Sequence, residues 1–227
     1  MPRSGSTLLE TILSTNPGIR ALGESQSLEK AIIKIEQLPE SESSRQELDK
    51  LYSKLESIDN TQFTYTVDKQ LYNFFYIDWI TNYMTEAKII HCRRNSMDNI
   101  LSLYRSNLAP WINNYTSNLE DAAKVLTAQE QAMQIHKKNH PQKIFTFDYD
   151  QFVNAPEENL SKLLTWLNLD FSQSYLHPEK STKSINTASV IQARKPISNK
   201  SVGNWKNYKA LLKPAENILR ESDLLED

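Results

Sequence analysis

Three short apolar runs, each followed by a helical pattern, predict an α/β fold with a parallel sheet flanked by helices. The runs are residues 62–67, 87–92 and 143–149, which are rich in β-branched, aliphatic and aromatic side chains. The central part of 87–92 is almost entirely apolar, as in a buried parallel strand. Because ligands bind at the carboxyl ends of such strands, chemistry is expected in the turns that follow the three runs.

Amphipathic periodicity predicts the helices around this sheet. The first helix covers residues 8–15 and stops at Asn16-Pro17-Gly18. Residues 26–57 are predicted to form two consecutive surface helices, with Pro39 between them. Further helices are predicted at 72–84, 95–104, 118–139, 156–169 and from about 214, with a loop at 107–117 and irregular chain after 170.

Length and charge restrict the function classes. A chain of 227 residues fits one domain, 1–227, with helical insertions at about 26–57 and 107–140. With 26 Lys+Arg against 28 Asp+Glu, no excess positive charge favours a nucleic acid or an anionic membrane as partner. Cys92 is the single cysteine, which excludes an intrachain disulfide and a cysteine metal cluster. No signal peptide or membrane span is predicted, so we expect a soluble, cytoplasmic protein.

The segment before the first helix, residues 2–7 (PRSGST), has the composition of an anion-binding loop. Such a loop can present several backbone N–H groups to one anion, while Arg3 adds positive charge and Ser6 and Thr7 add hydroxyl donors. The alternative is an ordinary helix cap at Ser4 or Ser6. No lysine precedes Ser6, so the segment is not a Walker A loop, and it predicts a site for a phosphate-like group without the usual magnesium ligands.

Charged residues also follow two of the predicted strands. Arg93 and Arg94, with Ser102 two helical turns later, could clamp a second phosphate, although both arginines could instead cap the sheet edge and pair with Asp98. Lys69 follows the strand 62–67 and could direct its ammonium group to a leaving oxygen.

The alternative for Lys69 is a solvated surface pair with Asp68. A fourth candidate is Gly23-Glu24, beyond the first helix, where the carboxylate could act as a general base. Most exposed glutamates have no such role.

Taken in chain order, these stretches resemble one known family. PRSGSTLLE, GE, D-K-x-x-x-N, R-x₇-S and a late T-x-S-x-x-Q-x-R…S-x-x-x-W-x-x-Y segment are similar to the sulfotransferases that use 3′-phosphoadenosine 5′-phosphosulfate (PAPS). The nearest branch resembles bacterial enzymes allied to tyrosylprotein sulfotransferases, often attached to tetratricopeptide repeats. The resemblance runs from Met1 to about Leu212 and implies a P-loop-type sheet.

The resemblance also implies roles for matching residues. The loop that begins at Arg3 would hold the 5′-phosphosulfate, and Arg94 with Ser102 would grip the 3′-phosphate. Lys69 would stabilise charge on the bridging oxygen, and Glu24 would take the proton of the acceptor hydroxyl. The other matching nucleotide-binding residues are Ser4, Gly5, Ser6, Thr7, Tyr149, Ser189, Arg194 and Trp205.

The sequence departs from the family pattern in several places. Asn204 stands where a basic residue usually precedes the tail tryptophan, Asn95 where Asp is common, and Leu71 where Pro is frequent. The family's anion loop also follows a buried strand, and none precedes Pro2 here. We therefore expect the first strand to be missing, either because the chain is truncated at its N-terminus or because another segment fills that position.

The resemblance implies PAPS as co-substrate, 3′,5′-ADP as product, no metal, and an acceptor hydroxyl on a peptide, glycan or metabolite. Two alternatives stay open. One is a P-loop nucleotide or small-molecule kinase in which Asp148 or Asp150 holds magnesium, and the other is a non-catalytic remnant that binds PAPS. The oligomeric state is not predicted.

Overall fold

A computed structural model describes residues 1–38, 45–58, 61–106, 108, 114–180 and 195–225. The strands are β1 (Ile19–Gly23), β2 (Tyr65–Asp68), β3 (Ile89–Arg93) and β4 (Ile144–Asp148). The α-helices are α1 (Ser6–Leu13), α2 (Ser27–Glu36), α3 (Leu48–Leu55), α4 (Ile77–Tyr83), α5 (Ser96–Tyr104), α6 (Leu119–Asn139), α7 (Tyr149–Asn154), α8 (Pro156–Leu167) and α9 (Lys209–Glu221). Short 3₁₀ helices cover Leu71–Tyr76, Gln173–Leu176, Pro178–Lys180 and Asn204–Tyr208.

The strands pair in parallel, as the alternating pattern predicts, and form two separate two-stranded sheets. In the first, Ile19 lies opposite Tyr65, and a bulge between Ala21 and Gly23 shifts the register at the end of β1. In the second, β3 and β4 stay in register over five residue pairs, ending with Arg93 opposite Asp148. The α/β fold with parallel strands and flanking helices is therefore confirmed.

A cavity of about 730 Å³ lies between the two sheets. Consecutive residues of β2 and β3 line it, together with Leu9 and Leu13 of α1 and Ile77 of α4. Within the described residues no strand occupies this space, and none precedes the anion loop, because residues 1–5 are irregular and α1 begins at Ser6.

Two hydrophobic clusters hold the elements that carry the predicted site. In one, Ile12 and Leu13 of α1 are fully buried with residues of β1, β4 and α8. In the other, α5, α6 and α9 pack together through residues such as Ile100, Leu103 and Leu212. Asn95 begins α5 because its side chain accepts the N–H of Asp98 at 3.1 Å, so the turn after β3 is fixed by a helix cap.

Several strand boundaries differ from the predictions. β1 was not predicted, and β2 begins at Tyr65 rather than at residue 62. The last strand ends at Asp148, whose carboxylate caps α7, so Tyr149 opens a helix instead of closing a strand.

The last helix begins at Lys209 rather than near residue 214, and Pro214 lies inside it. Proline inside a helix removes a backbone hydrogen bond, whereas proline in the first turn is tolerated, so the sequence predicts that the helix starts near Pro214. Here the burial of Leu212, Ala215 and Leu219 on one face stabilises the longer helix. In the part of the chain that the structure describes, no helix combines the length and hydrophobicity that a membrane crossing requires.

Candidate active site

Within the anion loop, Gly5 is the N-cap of α1 and has φ +94°. A Cβ atom built on Gly5 would lie 2.5 Å from Cδ2 of Tyr149, so both the backbone conformation and the packing require glycine. No side chain caps this helix: Ser4 donates its hydroxyl to the Met1 carbonyl at 2.9 Å, and Ser6 is the first helical residue. The alternative of a helix cap at Ser4 or Ser6 is therefore wrong, because Gly5 occupies the cap position. A helix start without a side-chain cap is a type of place where proteins bind anions.

The loop is anchored on α5. Arg3, at φ +65°, donates its Nε–H to the Ser102 hydroxyl at 3.0 Å, and Asn99 donates to the Pro2 carbonyl at 3.1 Å. Arg94 donates to the Arg3 carbonyl at 3.4 Å. Burial lowers the pKa of Arg3, and the positive charge of Arg94 lowers it further. Two guanidinium groups held together in this way create a positive potential that favours an anion.

Arg94 lies between the loop and the C-terminal tail. It donates to the Ser201 carbonyl at 3.0 Å, and its guanidinium carbon lies 5.0 Å from the centre of the Tyr149 ring. The Tyr149 and Ser201 hydroxyls are 3.1 Å apart. The Nε of Arg94 is buried and has no hydrogen-bond partner among the described residues. A buried charged donor without a partner is costly, and an anionic oxygen would satisfy it.

Asp98 connects the tail to the same helix. Its two carboxylate oxygens accept the backbone N–H groups of Gly203 at 2.6 Å and Trp205 at 2.9 Å. Trp205 is 9% exposed, and Lys209 Nζ lies 5.5 Å from the ring centre. Ser189 and Arg194, the other predicted residues of this tail, lie outside the described residues.

The second half of the site is the ion pair between Lys69 and Glu24, whose Nζ and Oε1 are 2.5 Å apart. The Lys69 side chain is 5% exposed and that of Glu24 is 41% exposed. The alternative in which Lys69 belongs to a solvated surface pair with Asp68 is therefore wrong. Asp68 instead accepts the Tyr52 hydroxyl at 3.0 Å and the N–H of Gln70 at 2.8 Å.

The two halves share one cavity, since Ser4, Ser6 and Lys69 all line the space between the sheets. Glu10 also lines it and was not predicted as a site residue, although an acidic residue beside Leu9 and Ile12 on an apolar helix face is a usable signal. Tyr72 and Tyr115 were missed as well. Their hydroxyls lie 2.9 Å apart, and burial, with a smaller contribution from the charge of Glu24, raises the pKa of Tyr72 despite its bond to Tyr115.

The acidic residues named for the kinase alternative have other partners. Asp148 caps α7 through the N–H of Gln151 at 2.9 Å, and Asp150 accepts the N–H of Asn95 at 2.5 Å. Among the described residues, no group of three or more His, Cys, Asp or Glu is arranged to hold a metal ion.

Comparison with known proteins identifies the family of this chain. The sequence profile of a family described as the sulfotransferase family matches residues 1–173. The chain belongs to the sulfotransferase family. The resemblance inferred from the sequence motifs is thereby confirmed.

An uncharacterized protein from Aquifex aeolicus (strain VF5) is 29% identical over 244 aligned residues, covering 97% of this chain. The chain spans only 31% of that relative's length.

Two solved structures share the fold. A sulfotransferase domain from the curacin biosynthetic pathway has a TM-score of 0.64 and 17% identity, covering 99% of this chain and 95% of that domain. A sulfotransferase domain from the Synechococcus PCC 7002 olefin synthase has a TM-score of 0.65 and 18% identity, covering 97% and 90%.

Proposed function

We propose that this sulfotransferase moves a sulfuryl group from PAPS to an acceptor hydroxyl. The observation that carries the proposal is the cluster formed by Arg3, Arg94 and Ser102 near the start of α1. In it the buried Nε of Arg94 has no hydrogen-bond partner among the described residues. Ser4 and Ser6, on either side of Gly5 in the same loop, line the cavity that Lys69 also lines. Positive charge at one end and a lysine–glutamate pair at the other suit transfer from an anionic donor.

The donor's phosphates fit two parts of the cluster. We assign the 5′-phosphosulfate to the first turn of α1, with Ser4, Gly5, Ser6 and Thr7 around it, because backbone N–H groups and the helix dipole favour an anion there. The 3′-phosphate fits Arg94 and Ser102, where the unpartnered Nε would gain an acceptor. The adenosine would lie by Tyr149 and Trp205, and the tail residues Ser189 and Arg194 would contribute from beyond the described chain.

The chemistry we propose is an in-line displacement at sulfur. Glu24 accepts the proton of the acceptor hydroxyl, whose oxygen forms the new bond to sulfur. The bond between sulfur and the bridging phosphate oxygen breaks, and 3′,5′-ADP leaves with that electron pair. Lys69 and Arg3 stabilise the charge that develops on the leaving oxygen. Glu24 is more exposed than Lys69, which supports a base that an acceptor can reach from solvent.

Transfer without metal is part of the proposal. The moving sulfuryl group carries less charge than a phosphoryl group, so two arginines, a lysine and helix N–H groups are sufficient counter-charge. The loop also has Gly5 where a Walker A loop has the lysine that accompanies magnesium.

Tyr72, whose pKa the charge of Glu24 helps to raise, and the ring that stacks on it support an acceptor site on that side of the pair. The rings of Tyr72 and Phe75 are stacked at 16° with centres 6.2 Å apart, and Phe75 is 69% exposed. The acceptor hydroxyl could belong to a peptide, a glycan or a metabolite. A tyrosine-containing peptide, a disaccharide and a small aliphatic alcohol therefore make a suitable acceptor panel.

Nucleotide preference tests the proposal. PAPS and 3′,5′-ADP should raise the melting temperature, whereas ATP with magnesium should not. A magnesium-dependent stabilisation by ATP alone would contradict the proposal and favour the kinase alternative. Stabilisation by PAPS with no turnover on the panel would favour the non-catalytic remnant.

A further inference from the structure

Glu10 is a buried carboxyl group in the helix that follows the anion loop. It is 6% exposed and lies between Leu9 and Ile12, which belong to the hydrophobic core. Burying an ionisable group is costly unless it makes compensating hydrogen bonds or ion pairs. The burial of Glu10 therefore requires a structural or functional explanation.

The hydrogen bond that Glu10 makes supplies such a reason. Its Oε1 accepts the backbone N–H of Gly23 at 3.0 Å. Gly23 ends β1 at the bulge, with φ +69°, and its carbonyl accepts the N–H of Lys69 at 2.8 Å. The peptide groups on both sides of Gly23 are thus held, one by α1 and the other by the turn after β2.

The residue after this fixed glycine is Glu24, whose carboxylate lies 2.5 Å from Lys69 Nζ. The groups whose charges act on Glu10 are Lys69, Glu24 and Asp68. Burial raises the pKa of Glu10, and the two acidic neighbours act in the same direction, while Lys69 and the Gly23 N–H oppose them.

We infer that Glu10 is a positioning residue that fixes the proposed base relative to the donor loop. Ser6 at the start of α1 belongs to the loop, and Glu10 lies about one turn further along the same helix. One short rigid element therefore connects the place where the donor's phosphosulfate would bind to the turn that carries Glu24. This inference rests on the proposed function, and Glu10 itself touches no reacting atom in it.

Three variants separate the hydrogen bond from the fold. Glu10→Gln keeps an acceptor oxygen, and Glu10→Ala removes it. Thr11→Val changes a buried neighbour whose hydroxyl donates to the Thr7 carbonyl within α1. With PAPS and the best acceptor of the panel, Glu10→Ala should lower kcat by about 10- to 100-fold, the cost of a misplaced group. KM for PAPS should stay within about threefold of the wild-type value, because Glu10→Ala disturbs the alignment of Glu24 and not the binding of PAPS. Glu10→Gln should recover most of kcat.

A second readout does not depend on turnover. The chain has four glycines, so labelling with ¹⁵N-glycine gives few amide signals. The Gly23 amide should shift and exchange faster in Glu10→Ala but not in Glu10→Gln or Thr11→Val. The Gly203 amide, which donates to Asp98, should be unchanged in all three variants.

Two results would overturn the inference. One is a Gly23 amide that does not respond to Glu10→Ala. The other is a loss of kcat in Glu10→Ala that Glu10→Gln does not recover and that comes with an equal loss of 3′,5′-ADP affinity. A wild-type protein without transfer activity would instead contradict the proposed function, and the Gly23 amide would still test the contact made by Glu10.

Discussion

Replacing Arg94 by alanine tests the 3′-phosphate site. Two of its three guanidinium nitrogens donate to the carbonyls of Ser201 and Arg3, and the buried Nε is the one without a partner among the described residues. A hydrogen bond from a charged donor contributes about 1.5–3 kcal/mol. Since about 1.4 kcal/mol corresponds to a tenfold change in affinity, the wild type should bind 3′,5′-ADP about 10- to 150-fold more tightly than AMP.

The comparison of two nucleotides makes this prediction independent of general damage. Arg94→Ala also loses contacts with the tail and with Tyr149, which weakens both nucleotides alike, so the ratio of the two Kd values isolates the 3′-phosphate. Arg93→Ala is the matched control, because the Nε of Arg93 lies 3.9 Å from Oε2 of Glu130, and its loss should not change the ratio. Isothermal titration measures all six affinities. Equal binding of 3′,5′-ADP and AMP to the wild type would refute the assignment of Arg94.

Further predictions concern the proposed base Glu24, the leaving-group residue Lys69 and the loop residue Gly5. Glu24→Gln should lower turnover by about 10²–10⁴-fold, and raised pH should partly restore it with a tyrosine acceptor, whose unperturbed pKa is about 10. Lys69→Ala should show no such recovery in a pH–rate profile, because Lys69 acts on the leaving group. If Glu24→Gln keeps the wild-type rate at every pH, Glu24 is not the base. Gly5→Ala should lower the melting temperature more than Gly203→Ala. Both glycines have positive φ, but of the two only a Cβ at position 5 would collide with another side chain, that of Tyr149. Equal decreases in melting temperature would count against the packing explanation.

The raised pKa of Glu10 gives a stability prediction of definite sign. The Glu10 carboxyl binds its proton more tightly in the folded chain than in the unfolded chain, where its pKa is near 4.5. Stability should therefore fall as pH rises from that value through the raised pKa of the folded state. Glu10→Gln should remove this part of the pH dependence in urea titrations at several pH values, and an unchanged slope would contradict the assignment.

The helices and most of the strands follow from local patterns, but β1 does not. Residues 19–23 (IRALG) are few, contain Arg20 and follow Gly18, so their periodicity is weak. The strand forms because Ile19 enters the core and its backbone pairs with β2, which are tertiary effects. The start of α9 was misplaced for a similar reason, since the burial of Leu212 outweighs the local preference of Pro214.

The candidate site shows the same division. The order of the motifs identified Arg3, Arg94 and Ser102, yet the bond from Arg3 to Ser102 spans 99 residues and could not come from any local pattern. Lys69 beside Asp68 looked like a surface pair in sequence, and only the three-dimensional structure buries it against Glu24. The place of Glu10 on an apolar helix face is a signal in the sequence, but no local pattern reveals its contact with Gly23.

Transfer of labelled sulfate is the most direct test of the central claim. The protein is incubated with ³⁵S-labelled PAPS and the acceptor panel in the presence of EDTA. We predict labelled ester on at least one acceptor, an equal amount of 3′,5′-ADP, and loss of both products in Lys69→Ala. An absence of label on every acceptor, or an activity that EDTA abolishes and magnesium restores, would contradict metal-independent sulfuryl transfer by this site.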